Sequence, residues 1–125
     1  MNDVWYLDSG CSNHMSGNRE IFSKLDDSYR SNITLGNNNT VDVAAKGAMD
    51  VQTKEGMKSV QDIYYTPKLK YNLLSVGQLC EKNYRVVFEN MQCTIYDKNQ
   101  KNKVITVVPM TKNRMFPLKF GQNDN

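Results

Sequence analysis

Residues 5–14 read WYLDSGCSNH, and this stretch decides how the rest of the chain is interpreted. An apolar run delivers one carboxylate, Asp8, into a Ser-Gly turn, and a cysteine and a histidine follow at once. Two interpretations are open at this point. Asp8 is either half of a catalytic carboxylate pair, or it only shapes a turn beside a metal site built from Cys11 and His14.

Length and composition set the first limits. The chain has 125 residues, 39% of them hydrophobic, which is enough for one domain with a small core or one domain with a tail. No apolar run approaches the ~20 residues that span a bilayer, and no signal peptide precedes the first motif. We therefore expect a soluble, intracellular protein without a membrane partner.

The charge of the chain does not favour nucleic acid as a partner. The formal net charge is +3, and the lysines at 98, 101 and 103 lie in the polar stretch DKNQKNK. Aromatic residues that could stack on bases are not interleaved there. A solvated turn is the better interpretation of this stretch.

Most of the chain has a strand-like pattern. Residues 4–7 predict a short apolar strand, and residues 41–51 alternate so regularly that one long strand is expected. Turn residues at 36–39 join the run 33–35 to that strand as a hairpin. Residues 59–65 predict another strand, stopped by a proline. Residues 16–25 permit one or two helical turns.

One helix is predicted with its cap. Ser75 is a good N-cap, and Gln78 three residues later completes a capping box. Val76, Leu79 and Cys80 share one helical face, and the helix should end near Asn83. Beyond it, YRVVFE, CTIYD and KVITVV predict a β-meander.

A zinc site is the main competing interpretation of the cysteines. Cys11 and His14 have a plausible C-x2-H spacing, and Cys80 and Cys93 could complete four ligands. Paired C-x2-C spacing is absent, however, so we expect no metal and no other cofactor. His14 is interpreted as a structural hydrogen-bonding residue near the Asp8 loop. Three cysteines without a secretory signal do not indicate a disulfide framework.

Several motifs in the right order resemble the protease of copia-type LTR retrotransposons, a branch of the retroviral aspartic proteases. WYLDSGCSNHM resembles the active-site segment of that family, and ITLGNNNTVDVAAKGAMDV is similar to its flap hairpin. DIYYTPKLKYNLLSVGQLCEKNYRVVFE resembles the block that carries the strand and helix beneath the active site. The resemblance covers most of the chain.

The resemblance implies an all-β, retropepsin-like half-barrel with a flap hairpin and one short helix, extended by a C-terminal β-hairpin. It implies that Asp8 is catalytic and that Ser9 and Gly10 support it, the Ser9 hydroxyl by bonding across a two-fold axis. The flap tip that covers substrate would consist of Gly36, Asn37, Asn38 and Asn39. Active-site support would come from Leu73, Leu74 and Ser75.

An aspartic protease needs two facing carboxylates, and this chain contains one Asp-Ser-Gly only. The other candidate, Asp26-Asp27-Ser28, has no following glycine and no strand leading into it. The second half of the site is therefore expected from another copy of the chain, across a two-fold axis.

Four departures from retroviral proteases are visible, and one of them is a flap tip with one glycine and three asparagines. Ser75 stands where they carry a glycine, although it suits a helix cap. Cys11 stands where alanine is frequent, either as a small buried hydrophobe or as a redox-sensitive residue. The chain also continues past the helix, so we expect a protease core at residues 1–97 and, at residues 98–125, a hairpin strand and a linker toward integrase that begins near RMFPLKF.

The expected function is an aspartic endopeptidase, active as a homodimer, that cuts Gag-Pol polyprotein junctions in cytoplasmic virus-like particles. The alternative is an inactive retropepsin-like domain that mediates polyprotein dimerisation or assembly. Intact Asp8, Ser9 and Gly10 favour the enzyme.

Overall fold

A computed structural model describes residues 4–120, and in this range the chain is an all-β domain with one short α-helix. The helix, α1, spans Val76–Glu81, and single 3₁₀ turns lie at Arg19–Ile21 and Lys98–Gln100. The strands are β1 Val4–Asp8, β2 His14–Ser16, β3 Lys24–Asp26, β4 Ser31–Thr34, β5 Thr40–Val43, β6 Ala45–Thr53, β7 Gly56–Tyr65, β8 Asn72–Ser75, β9 Tyr84–Glu89, β10 Gln92–Asp97, β11 Lys103–Pro109 and β12 Pro117–Lys119. No helix in this range is both long and apolar enough to cross a membrane.

The largest sheet, which we call the site sheet, has the strand order β12-β1-β8-β2-β7-β6-β3. Its central feature is the parallel pairing of β1 with β8, which sets Asp8 opposite Ser75. Within β1, Trp5 and Leu7 are buried on the core face and alternate with more exposed residues, as the period of a half-buried strand requires. The predicted strand at residues 4–7 is confirmed.

The meander β9-β10-β11 forms a separate three-stranded antiparallel sheet, as the sequence predicts. Cys93 and Ile95 of β10 and Val108 of β11 are buried in one cluster with core residues of the site sheet. The members contributed by the site sheet are Trp5, Leu7, Met49, Val51, Ile63 and Leu74. Burial of apolar surface between these two sheets is the main stabilising term of the fold.

The hairpin β4-β5 forms a two-stranded sheet of its own, with Ser31 opposite Val43 and Thr34 opposite Thr40. The single long strand expected over residues 41–51 is wrong. The strand breaks at Ala44, whose N–H donates to the Tyr65 carbonyl at 2.9 Å, and the chain continues as β6 in the site sheet. Val43 and Ala45 are buried on either side, so the alternation of the sequence runs through the break without a change of phase.

The predicted start of the helix is confirmed, but the prediction of which side chains it packs against the core is partly wrong. The Ser75 hydroxyl accepts a hydrogen bond from the Gln78 N–H at 3.1 Å, and the helix ends at Glu81, two residues before the expected position. Val76 and Leu79 pack against the core, whereas Cys80 is exposed. The buried residue of the helix is Gln78.

Residues 16–25 contain one helical turn, the 3₁₀ turn Arg19–Ile21, within the one or two that the sequence permits, and β3 follows it. The expected strand over 59–65 begins three residues earlier, at Gly56.

The segment expected to begin a linker contributes a strand to the site sheet. β12 pairs antiparallel with β1, with Lys119 opposite Val4 and Pro117 opposite Tyr6. The Trp5 and Phe120 rings meet edge to face with centroids 6.0 Å apart. The domain boundaries given above stay predictions, and residues 1–3 and 121–125 lie outside the described range.

Candidate active site

Asp8 is the last residue of β1, at the point where the chain leaves the site sheet. Its carboxylate is partly exposed, and its Oδ1 accepts a hydrogen bond from the Gly10 N–H at 2.7 Å. A Cβ atom at position 10 would lie 3.3 Å from the same oxygen, tighter than most Cβ contacts. Glycine at this position therefore lets the backbone approach the carboxylate and fix its orientation.

The loop after Asp8 is hydrogen-bonded to the end of β8. The Ser75 hydroxyl donates to the Cys11 carbonyl at 2.8 Å, while the same hydroxyl accepts from the Gln78 N–H. The Cys11 thiol lies 3.6 Å from the Asp8 carbonyl as a weak donor. Ser75, expected as a departure that suits a helix cap, thus joins the helix start to the Asp8 loop.

His14 forms hydrogen bonds with both residues of the predicted capping box, Ser75 and Gln78. In a full capping box the Gln78 side chain would accept from the Ser75 N–H. Here the Ser75 N–H donates to His14 Nδ1 at 2.9 Å, and Gln78 Oε1 accepts instead from the His14 N–H at 2.8 Å. His14 is buried and acts as an acceptor, which agrees with its interpretation as a structural residue.

The His14 ring is held in its neutral form. Burial lowers the pKa of His14 from 6.5 to about 4, and the nearby Asp62 carboxylate opposes this only in part. The remaining donor of Gln78, Nε2, lies 3.3 and 3.2 Å from the carbonyls of Gln61 and Asp62 on β7. We call His14, Ser75 and Gln78 the polar clamp.

The hairpin tip lies over Asp8. A cleft of about 240 Å³ is lined by Asp8 and Leu73 from the site sheet, by Gly10 and Cys11 from the loop after β1, and by Leu35, Gly36 and Asn37 from the tip. Two of the four residues predicted for the flap tip, Gly36 and Asn37, therefore face the cleft.

The other two predicted tip residues, Asn38 and Asn39, shape the turn. Asn38 adopts the left-handed conformation with φ 68° and donates through its N–H to the Leu35 carbonyl at 3.0 Å. The Asn39 N–H donates to Asn37 Oδ1 at 3.0 Å. Asparagine tolerates the left-handed region and its side chain mimics a backbone turn, which explains a tip with one glycine and three asparagines.

The three residues predicted to support the active site have different surroundings. Leu73 lines the cleft, Leu74 is buried in the core, and Ser75 caps the helix. Leu35 was missed by the sequence reasoning, although its place directly before the turn was the available signal. Ser9 is exposed beside Asp8.

A model of the Pol polyprotein beta-barrel domain family matches residues 5–84, which contain Asp8, the hairpin, the polar clamp and α1. The chain belongs to this family. The match covers more than half of the 125 residues.

Two curated relatives of this Pol beta-barrel domain are transposon proteins. The chain is 32% identical over 72 residues to a putative transposon Ty5-1 protein of Saccharomyces cerevisiae, a stretch that covers 58% of this chain and 47% of the yeast protein. It is 28% identical over 81 residues to a retrovirus-related Pol polyprotein from transposon RE1 of Arabidopsis thaliana, covering 63% of this chain and 6% of that polyprotein. The chain thus spans about half of one relative and a small part of the other.

The cysteines of the Pol beta-barrel domain are dispersed. Cys11 is partly buried at the cleft, Cys80 is exposed on α1, and Cys93 is in the core. Burial and the Asp8 charge together raise the pKa of Cys11 to about 11, so its thiol stays protonated at neutral pH. Within residues 4–120 no three or more His, Cys, Asp or Glu residues are grouped so that they could hold a metal ion.

A second, larger depression of about 580 Å³ opens elsewhere on the Pol beta-barrel domain. It is lined by Gly17, Asn18, Arg19, Glu20, Leu69, Lys70 and Asn72. Asn72 begins β8, and the next residue, Leu73, lines the 240 Å³ cleft instead. This depression shares no lining residue with the Asp8 cleft, so it does not contribute to the candidate site.

Proposed function

We propose that this Pol domain is an aspartic endopeptidase of a copia-type LTR retrotransposon, active as a homodimer with one Asp8 from each subunit. The observation that carries the proposal is the cleft in which the hairpin tip lies over the Asp8 carboxylate. A carboxylate at the end of a half-buried strand, held by the Gly10 N–H and sharing its cleft with a hairpin tip, suits attack on an extended peptide.

The need for a second subunit follows from the chemistry. Of the residues that line the Asp8 cleft in the described chain, Asp8 alone is acidic. Two carboxylates that share one proton are the established machinery of aspartic proteases as a class, because like charges a few ångströms apart do not both ionise. A second copy of this chain, related by a two-fold axis, supplies the missing carboxylate.

In this mechanism the ionised carboxylate takes a proton from a bound water, whose oxygen attacks the scissile carbonyl carbon. The protonated carboxylate of the other subunit gives its proton to the carbonyl oxygen, forming a tetrahedral intermediate. The intermediate collapses as the C–N bond breaks and the leaving nitrogen takes a proton. Gly10 orients the Asp8 carboxylate, and the Ser9 hydroxyl would bond across the axis to hold the two loops together.

The substrate is an extended segment of the Gag-Pol polyprotein. Backbone groups at the tip, residues 36–39, would pair with it as a neighbouring strand does, while Leu35 and Leu73 offer apolar walls. Cleavage at polyprotein junctions would take place in cytoplasmic virus-like particles. No cofactor and no nucleic acid enters the reaction at this domain.

Processing of a Gag-Pol precursor that contains this segment tests the proposal. The precursor is expressed intact, with Asp8→Asn, and with Asp26→Asn as the matched control at the exposed end of β3. We expect specific fragments from the intact and Asp26→Asn precursors and none from Asp8→Asn. Equal cleavage of all three would assign the activity to another protease and leave Asp8 a structural role.

A mixing experiment tests the shared site. When Asp8→Asn chains are added in excess to intact chains, mixed dimers carry one carboxylate only, so processing should fall. Undiminished processing would contradict a site built by two subunits. If no precursor is cut under any condition, the assembly-domain interpretation replaces the enzyme.

A further inference from the structure

The hairpin that covers Asp8 is joined to the rest of the domain at its base. Among the described residues, β4 and β5 pair only with each other and not with the site sheet. Inside the hairpin, four residue pairs are aligned from Ser31 opposite Val43 to Thr34 opposite Thr40, and Asn32 Nδ2 donates to Asp42 Oδ1 at 2.9 Å. The hairpin is therefore a separate two-stranded unit, and contacts at its base join it to β7.

Both base contacts lie on neighbouring residues of β7. On the incoming side, the Tyr29 ring stacks on the Tyr64 ring with centroids 5.6 Å apart, and the two hydroxyl oxygens lie 3.0 Å apart in a hydrogen bond. On the outgoing side, the Ala44 N–H donates to the Tyr65 carbonyl. The Lys46 ammonium lies 4.8 Å from the centre of the Tyr29 ring and adds a cation–π contact.

Small changes at this base are amplified at the tip. Strand β4 and the first tip residues extend for roughly 15–20 Å at about 3.3 Å per residue, so a tilt of about 10° at the base moves the tip by about 3 Å. The tip residues Leu35, Gly36 and Asn37 line the cleft with Asp8. A displacement of this size would open one wall of the cleft.

Strand β7, which holds the base of the hairpin, also contacts the polar clamp. Gln78 Nε2 donates to the Gln61 and Asp62 carbonyls, and Ile63 is paired with His14. Residues 61–65 of β7 therefore contact the support of the Asp8 loop at one end and the base of the hairpin at the other. The position of the tip relative to the Asp8 carboxylate therefore depends on the same segment of β7.

We propose that the Tyr29–Tyr64 pair is the anchor that sets the height of the hairpin tip over Asp8, which makes both tyrosines positioning residues for substrate capture. The inference rests on the proposed protease function in its kinetic part, because the hairpin is a flap only if Asp8 acts on a peptide. The Tyr64 hydroxyl stays protonated for this role, since its hydrogen bond with Tyr29, together with burial, raises the pKa of Tyr64 to about 12.

Phenylalanine substitutions test the anchor because they keep the rings and remove the hydroxyl bond. The variants are Tyr29→Phe, Tyr64→Phe and the double variant, and Tyr65→Phe is the matched control because its ring packs on Phe22 instead. The probe is a fluorogenic peptide carrying the junction cut in the precursor experiment. We expect KM to rise roughly two- to tenfold in each single variant, the range for one lost hydrogen bond, with kcat changed less than about twofold.

The double variant gives the sharpest kinetic readout. One shared bond is removed by either substitution, so the double variant should match the single variants and not multiply their effects. An unchanged KM, or multiplied effects in the double variant, would overturn the anchor.

Amide hydrogen exchange provides a readout that does not need activity. In Tyr64→Phe the Ala44 amide at the base should exchange several-fold faster, while the Leu7 amide, which donates to the Phe116 carbonyl, keeps its rate. A uniform acceleration of both amides would mean a general loss of stability and would contradict the anchor. If the unmodified chain cuts no peptide, the proposed function has failed, and the exchange result still decides whether the pair holds the hairpin.

Discussion

The site sheet and the meander are built on opposite principles. The site sheet and its connections bury the polar residues His14, Ser16, Thr66 and Asn72, and the polar clamp adds Ser75 and Gln78. The meander buries Asp97 but exposes large apolar side chains, namely Phe88, Met91, Val104, Ile105 and Val107. The first region buries more polar groups and the second exposes more large apolar side chains, although Met57 of the site sheet is exposed as well.

The two regions also differ in how far their contacts reach along the chain. The Ser75–His14 bond joins residues 61 positions apart, whereas each strand of the meander pairs with its neighbour in sequence. Buried hydrogen bonds are directional and costly to leave unmade, so they fix one geometry. Apolar contacts are more tolerant of exchange. The difference indicates that precise geometry is concentrated where the Asp8 loop is held.

The largest effect is expected from Gln78→Met, which keeps the length of the side chain and removes its polar atoms. The His14 N–H and the Gln61 and Asp62 carbonyls lose their partner, which should lower the free energy of unfolding by about 3 kcal/mol or more. Urea denaturation measures the loss. Gln52→Met, on an exposed position of β6, is the control and should change stability little. A loss below about 1 kcal/mol for Gln78→Met would contradict the view that buried hydrogen bonds fix the geometry around the Asp8 loop.

A pH titration of stability addresses the same region. The folded pKa of His14 is about 4, below its ordinary value of 6.5, so the unfolded chain binds the additional proton between these values. Stability from this group is therefore complete above pH 6.5 and is lost as the pH falls toward 4, by an amount of the order of 3 kcal/mol.

His14→Asn checks the source of that slope. Asparagine offers an acceptor for the Ser75 N–H and has no group that titrates in this range. The fall in stability between pH 6.5 and 5 should be much smaller in this variant, as followed by urea midpoints at each pH. An identical fall in both proteins would show that other groups cause it.

A smaller effect is expected from Ile95→Val in the core of the meander. Ile95 is buried between β9 and β11 in the shared cluster, and removal of one methyl group should cost about 1 kcal/mol. Urea denaturation measures this loss, and the processing assay should remain unchanged because no bond of the polar clamp is touched. Lost processing at retained folding would show that the meander also sets the site geometry.

The smallest effect is expected from Val107→Thr on the exposed part of β11. Val107 is 46% exposed, and threonine keeps the β-branched shape that strands favour. The free energy of unfolding should stay within about 0.5 kcal/mol of the unmodified chain. A clear loss of stability, measured in the same denaturation series, would mean that this surface is covered in solution.

The sequence predicted most elements because their patterns are local. The β1 strand, the β4-β5 hairpin, the Ser75 cap and the meander each follow from residues near in sequence. The break between β5 and β6 at Ala44 is not visible in the sequence pattern, because Val43 and Ala45 on either side of it are both buried and keep the alternation. The strand β12 could not be foreseen, since three residues near the end of the chain pair with β1 across more than a hundred positions.

The candidate site was predicted in part for the same reason. Asp8, Gly10 and the tip residues Gly36 and Asn37 come together as the resemblance implied. The exchange of partners between Ser75, His14 and Gln78 was not predictable, because a capping box is a local pattern and His14 approaches it from another strand. Placing Cys80 on the packed face failed because helical spacing does not reveal which stripe meets the core.

The pairing of β12 with β1 has a consequence for the edge of the site sheet. Val4 and Lys119 are directly opposite each other, so their backbones lie about 5 Å apart. Strand β12 is the edge strand of the site sheet, and β1 lies directly inside it. Removal of β12 would leave β1 as an open edge, which is a template for pairing with a strand of another chain.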